Sequence, residues 1–401
     1  MFKNKGFDKL LTISTLIIVI IFKKEGIYMK IKIKKEKLLE VLNKVSKAIS
    51  TKNLIPVLAG IKMEVDKDKM TLTASDNDIT IQSVIYADED FVISETGSII
   101  VTGKYMLDII RKLPTEYVDI EVDDDSKISI FTENSNFDLN GISVKEYPNI
   151  NLEESKTKIK IDVSTFKEMV NQTAFASSHE ENKPILTGIN FNIAGDILEC
   201  NSTDSYRLAR KIIKLKSPSK ENYNIVVPSH NLVELTKILG SKDDDIEINI
   251  FSNKILFKLD NLLFQSRLIN GTYPNTSNLI PKDDLVNIST NLFDFYNMID
   301  RVSILTSDKE KNIVNLETVD NTLILKSDSL EIGKVEEKME VNKSNKENIK
   351  ISFSARYMME ALKSFSTEDV DIHFIGEVKP IIIKSKTDDS LIQLVLPIRT
   401  Y

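Results

Sequence analysis

A pattern that recurs three times along the chain limits its fold more than any other feature. In the central copy, Pro184-Ile185-Leu186-Thr187-Gly188-Ile189 precedes a strand pair ending at Thr203-Asp204. Upstream, Ile55-Pro56-Val57-Leu58-Ala59-Gly60-Ile61 precedes one ending at Ser75-Asp76; downstream, Asn312-Ile313-Val314-Asn315-Leu316 precedes one ending at Ser327-Asp328. The copies lie about 125 residues apart, and Tyr147-Pro148-Asn149 returns as Tyr273-Pro274-Asn275. Self-similarity at a fixed period means one structural unit used repeatedly. Only the central copy adds Tyr206-Arg207-Leu208 after its Asp, so the function that distinguishes the copies is expected there.

Each copy has the same internal order. From Lys34, the residues Leu38, Val41, Leu42, Val45 and Ile49 recur at helical spacing, with Lys37, Lys44 and Lys47 on other faces, which predicts an amphipathic helix with a basic side. Alternating stretches over 61–65, 70–74, 79–85 and 98–101 predict half-buried antiparallel strands. A second helix over 104–113 turns Met106, Ile109, Ile110 and Leu113 inward and is stopped by Pro114. The order restarts with helices over 163–174 and 228–239, and again with helices over 292–304 and 355–365. The expected fold class is α+β, with three repeated domains, each of two helices packed on antiparallel sheets. Their boundaries fall at 29–152, 158–282 and 286–401.

The 401 residues, 41% hydrophobic and 28% charged, are the balance of a soluble globular protein and not of a disordered one. A net charge of -7 argues against gripping nucleic acid by bulk charge. A local basic face can still act, because salt screens each charge beyond about 10 Å. The single cysteine, Cys200, leaves no intramolecular disulfide, suits a reducing cytoplasm, and sits in a strand pattern as a small buried side chain. His179, His230 and His373 lack metal-ligand spacing, and no phosphate-binding or nucleophile-elbow motif occurs. Neither catalysis, nor a metal, nor a cofactor is expected. Asp76, Asp204 and Asp328 are expected to form turns in three separate domains, accepting bonds from nearby backbone N–H groups.

Residues 1–28 stand outside the repeat. Lys3, Lys5 and Lys9 precede an apolar run from Leu10 to Phe22, shorter than the ~20 residues that span a bilayer and without an A-x-A cleavage site. The expectation is translated upstream sequence or a disordered extension, in preference to a membrane anchor, with Met29 opening the first repeat.

From Met29 to Tyr401 the chain resembles the bacterial DNA sliding clamps, the beta subunits of DNA polymerase III. The resemblance is carried by the opening MKIKI with its amphipathic helix, Asn53-Leu54-Ile55-Pro56-Val57-Leu58, Pro184-Ile185-Leu186-Thr187-Gly188, Thr203-Asp204-Ser205-Tyr206-Arg207-Leu208, Gly271-Thr272-Tyr273-Pro274 and Leu396-Pro397-Ile398-Arg399. It implies a head-to-tail homodimer closed into a ring of six domains, with helices lining a hole that takes duplex DNA irrespective of sequence. DNA-facing candidates are Lys37, Lys44 and Lys47 on the first helix, Lys52, Lys183, Lys309 and Lys311 in loops, and Lys237 and Arg356 on later helices. Such contacts give a weak, sequence-independent attraction to phosphates.

The resemblance also implies a peptide groove between the second and third domains for the polymerase III catalytic subunit, the clamp loader and other replication and repair proteins. Its walls would be Leu186, Thr203, Ser205, Tyr206, Arg207, Leu208, Pro274, Leu279, Tyr357, Val378, Pro380, Leu394, Leu396, Pro397, Ile398 and Arg399, mostly apolar and suited to a leucine or phenylalanine anchor. Tyr206 stands where the family commonly has His, and Asn278 where a basic residue is frequent, so peptide preference is expected to shift. For ring closure the matching positions are Phe137 and Leu139 on the first domain's edge strand, and Ile304 with Leu305 at the end of the third domain's leading helix.

The function implied is that of a non-enzymatic processivity factor in the cytoplasm, tethering the polymerase to DNA. Two further readings stay open: a secondary clamp copy with altered partners, suggested by Tyr206 and the leader, and a repetitive β-rich surface protein, which the leader would serve as signal or anchor. An enzyme with a site between domains lacks any constellation to carry the chemistry.

Overall fold

The structure, a computed structural model, describes residues 27–49, 55–155, 157–180, 182–240, 245–281, 285–306, 312–329 and 332–399. The leader and the candidates Lys52, Lys309 and Lys311 lie outside the described residues. Two compact units are formed, one running to Glu153 and including Asp260–Gln265, the other comprising Glu154–Leu259 and the chain from Ser266 onward.

In the first unit, helix α1 (Lys35–Val45) buries Leu38, Val41, Leu42 and Val45, the stripe its spacing dictates. Each such side chain contributes about 1.5–3 kcal/mol relative to exposure. Helix α2 (Gly103–Lys112) packs beside it, burying Met106 and Ile110. The end of α2 is capped from α1: Lys35 Nζ donates to Leu113 O at 2.5 Å, a cation at the negative end of a helix. One sheet orders the strands Phe91–Glu95, Ile27–Lys34, Tyr117–Asp123, Lys127–Phe131 and Asn136–Asn140. A second places Ile79–Tyr86, Lys69–Ser75, Gly60–Val65 and Gly97–Thr102 side by side, all antiparallel.

The second unit repeats the plan twice. Helix α3 (Val163–Thr173) packs on α4 (Ser229–Ile238), and α5 (Leu292–Ser303) on α6 (Ala355–Leu362). Lys167 on α3 donates to Leu239 O past the end of α4 at 2.7 Å, the same use of a lysine as at Lys35. A nine-stranded antiparallel sheet joins the two repeats. Its junction is the pair Arg207–Lys214 and Leu391–Val395, with Arg207 opposite Val395 and Leu208 opposite Leu394. The third repeat adds a four-stranded sheet ending in the strand Gly333–Glu340. Cys200 is fully buried, as its strand position predicts, and burial raises its thiol pKa well above the ordinary range.

Two of the three aspartates behave as expected. Asp76 Oδ1 accepts from Asp78 and Ile79 N–H, and Asp204 Oδ1 from Tyr206 and Arg207 N–H. Asp328 does not form the equivalent turn. The third repeat's strand continues through it to Ser329, and Asp328 stands opposite Lys334 with an ion pair at 2.6 Å.

Candidate functional site

The Thr203–Leu208 turn, which only the central repeat elaborates, is held by its own side chains. Thr203 Oγ1 donates to Arg207 O at 2.5 Å and accepts from Ser205 N–H at 3.1 Å. Ser205 takes φ 80° at the tip, and the Asp204 carboxylate gathers the next two amides. From beneath, the Tyr273 hydroxyl accepts from Thr203 N–H at 3.0 Å. Burial pushes the Tyr273 phenol pKa far up, so it stays un-ionised.

Arg207 leaves this turn inward and is only 5% exposed. Its Nε donates to Asp204 Oδ2 at 2.9 Å, and its Nη1 to Glu360 on α6. Its guanidinium lies 5.4 Å from the Phe175 ring centroid and 4.6 Å from that of Tyr357. A cation withdrawn this far from water persists only because it is paired and stacked. Tyr206 is 58% exposed and stacks on Tyr357 with centroids 6.4 Å apart. The last strand returns alongside: Leu396 N–H donates to Tyr206 O at 2.9 Å, and Ile398 N–H to Ser352 O at 2.7 Å.

Beside the turn lies an apolar surface. Leu208 and Leu394, on paired strands, form a buried cluster with Ile382 and Ile392, and the half-buried Ile280 and Ile375 pack against it. Leu279, next to Ile280 in the chain, Leu396, shortly after Leu394, and Val378, shortly after Ile375, are exposed apolar side chains. Pro380, Pro397 and Ile398 are half-buried, and Pro274 and Arg399 exposed. Leu186 belongs to a neighbouring cluster with Val226 and Tyr273, so it reaches the turn through the Tyr273–Thr203 bond. Sequence reasoning missed Phe175 and Glu360, the supports of Arg207. They sit on other elements, and no local motif announces them.

The basic candidates are mostly engaged with carboxylates. Lys37 pairs with Asp88, Lys44 with Glu40 at 2.7 Å, and Lys237 with Glu234 at 2.6 Å. Exposed pairs of this kind are worth little, so a phosphate can compete for the lysine. Lys47 and Lys183 are exposed. Arg356 is also exposed, but it lies over Tyr357, 5.2 Å from the ring centroid. Of the closure candidates, Phe137 and Leu139 lie on the outermost strand of the first unit's five-stranded sheet, with Phe137 exposed. In the second unit, Ile304 is 72% exposed at the end of α5, and Leu305 follows it half-buried. Among the described residues no group of three or more His, Cys, Asp or Glu is placed to hold a metal ion, and no helix is long and apolar enough to cross a membrane.

Comparison with known proteins covers the whole repeat. Residues 29–151 match the N-terminal domain of the DNA polymerase III beta subunit, 160–275 its central domain and 277–399 its C-terminal domain. The chain is 39% identical over 377 residues to beta sliding clamps of Staphylococcus epidermidis and Staphylococcus aureus, covering 93% of this chain and all of each relative. The structure is similar to the crystal structure of the DNA polymerase sliding clamp from Bacillus subtilis, with TM-score 0.90 and 38% identity, and to the DNA polymerase III beta chain from Streptococcus pneumoniae, with TM-score 0.88 and 31% identity. Each comparison covers 93% of this chain and 100% of the other.

Proposed function

The chain belongs to the DNA polymerase III beta subunit family, the bacterial sliding clamps, and from that premise we propose how its residues divide the work of a processivity factor. Neither a surface protein nor a divergent clamp copy is favoured by matches that run through all three repeats.

In this reading the repeats are domains at 29–152, 158–282 and 286–401, and two copies close head to tail around duplex DNA in the cytoplasm. Phe137 and Leu139 of one copy pack on Ile304 and Leu305 of the next. The lysines of the leading helices hold phosphates loosely, which permits sliding. The protein performs no chemistry itself; catalysis belongs to the polymerase it tethers.

The observation that carries the tethering role is the apolar surface beside the Tyr206 turn, where Leu279, Val378 and Leu396 stay exposed and Leu208 and Leu394 form a buried cluster. A leucine or phenylalanine of a partner's peptide would contribute about 1.5–3 kcal/mol there. Ordering the peptide offsets part of this, so affinities on the order of micromolar follow, weak enough for the polymerase, the clamp loader and repair proteins to exchange. Titrating a fluorescent peptide that carries a Leu-x-Phe anchor tests the reading. Saturable binding lost on Leu279→Asp supports it, and no binding to the unmodified protein contradicts it.

A further inference from the structure

We propose that Arg356 reads an acidic side chain flanking the apolar anchor of the docked peptide, an inference that rests on the peptide-groove reading above. Two guanidinium groups lie against the Tyr357 ring, at 4.6 Å for Arg207 and 5.2 Å for Arg356, but they differ in what else they hold. Arg207 is buried and its charge is met by both Asp204 and Glu360. Arg356 has a side chain 60% exposed, and its one ion pair among the described residues, to Glu360, is stretched to 4.0 Å. Glu360 is already committed to Arg207, so Arg356 keeps most of its positive charge unanswered.

The setting favours a carboxylate. The Arg356 guanidinium lies over the Tyr357 ring on a side chain that is mostly exposed, and a guanidinium matches a carboxylate with two parallel hydrogen bonds. Tyr357 in turn stacks on the exposed Tyr206, whose carbonyl accepts from the N–H of the exposed Leu396. A segment whose anchor lies on Leu208 and Leu394 therefore runs beside this arginine. The site selects for Asp or Glu next to the anchor and is a determinant of which partners bind.

The test uses the full-length protein and a set of synthetic peptides with one Leu-x-Phe anchor, carrying Glu or Gln at each flanking position in turn, measured by fluorescence anisotropy at low salt. At one flanking position the Glu peptide binds the unmodified protein about threefold more tightly than its Gln counterpart, as an exposed pair should. That ratio falls to about one in Arg356→Gln and is partly kept in Arg356→Lys. A ratio unchanged by Arg356→Gln would overturn the proposal. So would an intact ratio accompanied by weaker retention on circular DNA, which would assign Arg356 to phosphates. If no peptide binds the unmodified protein, the groove reading itself fails and this inference with it.

Discussion

Arg207 and Glu360 are ion-paired although 153 residues separate them, and the pair ties the central repeat's turn to the third repeat's last helix. Because Arg207 is buried and also holds Asp204, removing it strands a carboxylate in a half-buried site. Arg207→Ala is expected to cost about 3 kcal/mol, the lower end for a broken buried pair, since Glu360 is partly solvated. Urea unfolding followed by circular dichroism measures this. The same variant should weaken anchor-peptide binding at least tenfold, because Tyr357 loses the cation beneath it.

Tyr273 supplies the acceptor for the buried Thr203 N–H. Tyr273→Phe should destabilise the protein by about 1–2 kcal/mol, the cost of leaving a buried donor unpaired. Burial raises the phenol pKa of both Tyr273 and its repeat counterpart Tyr147. The stability this represents is whole below the unfolded value near 10 and is lost as pH rises through the folded one. Thermal midpoints measured from pH 8 to 11 should fall steeply above about pH 10, and less steeply in Tyr273→Phe.

A buried lysine between the second and third repeats gives the acid counterpart. Lys211 Nζ lies 3.0 Å from Asp388 and 3.4 Å from Glu168. Partial burial pushes the Asp388 pKa up, but hydrogen bonds from Ser390 and Lys211 outweigh it and the net shift is downward. The contribution is therefore present above the unfolded value near 4 and lost as pH falls through the folded one. Asp388→Asn should lower the midpoint at pH 7 and flatten its decline between pH 5 and 3, as followed by differential scanning calorimetry.

Much of this was legible in the residues. The helices follow from apolar spacing such as Leu38, Val41, Leu42 and Val45, and the family from motifs such as Thr203–Leu208 and Leu396–Arg399. What sequence could not show is dictated by distance along the chain. The strand Phe91–Glu95 escaped because it is short and follows Asp88-Glu89-Asp90, yet it pairs with Ile27–Lys34. Asp328 misled because a Ser-Asp dipeptide looks alike at a turn and inside a strand. Of the supports of Arg207, Phe175 comes from the turn that ends the same repeat's leading helix, and Glu360 becomes a neighbour only when the nine-stranded sheet brings two repeats together.

Ile304 is exposed at the end of α5, and Phe137 on an outermost strand of the first unit. Ile304→Asp or Leu139→Lys should leave each chain folded, with an unchanged far-ultraviolet spectrum, and shift the solution mass by light scattering from dimer to monomer. A mass unaffected by both changes would remove these residues from the closing interface.

The central claim is topological, and its most direct measurement is retention on DNA. The full-length protein is loaded by a clamp loader onto nicked circular duplex DNA, isolated by gel filtration, and followed before and after the circle is cut once. A closed ring co-elutes with the circle and is released on linearisation, at a salt concentration that abolishes simple phosphate binding. Equal retention on both forms, or none on either, would contradict it.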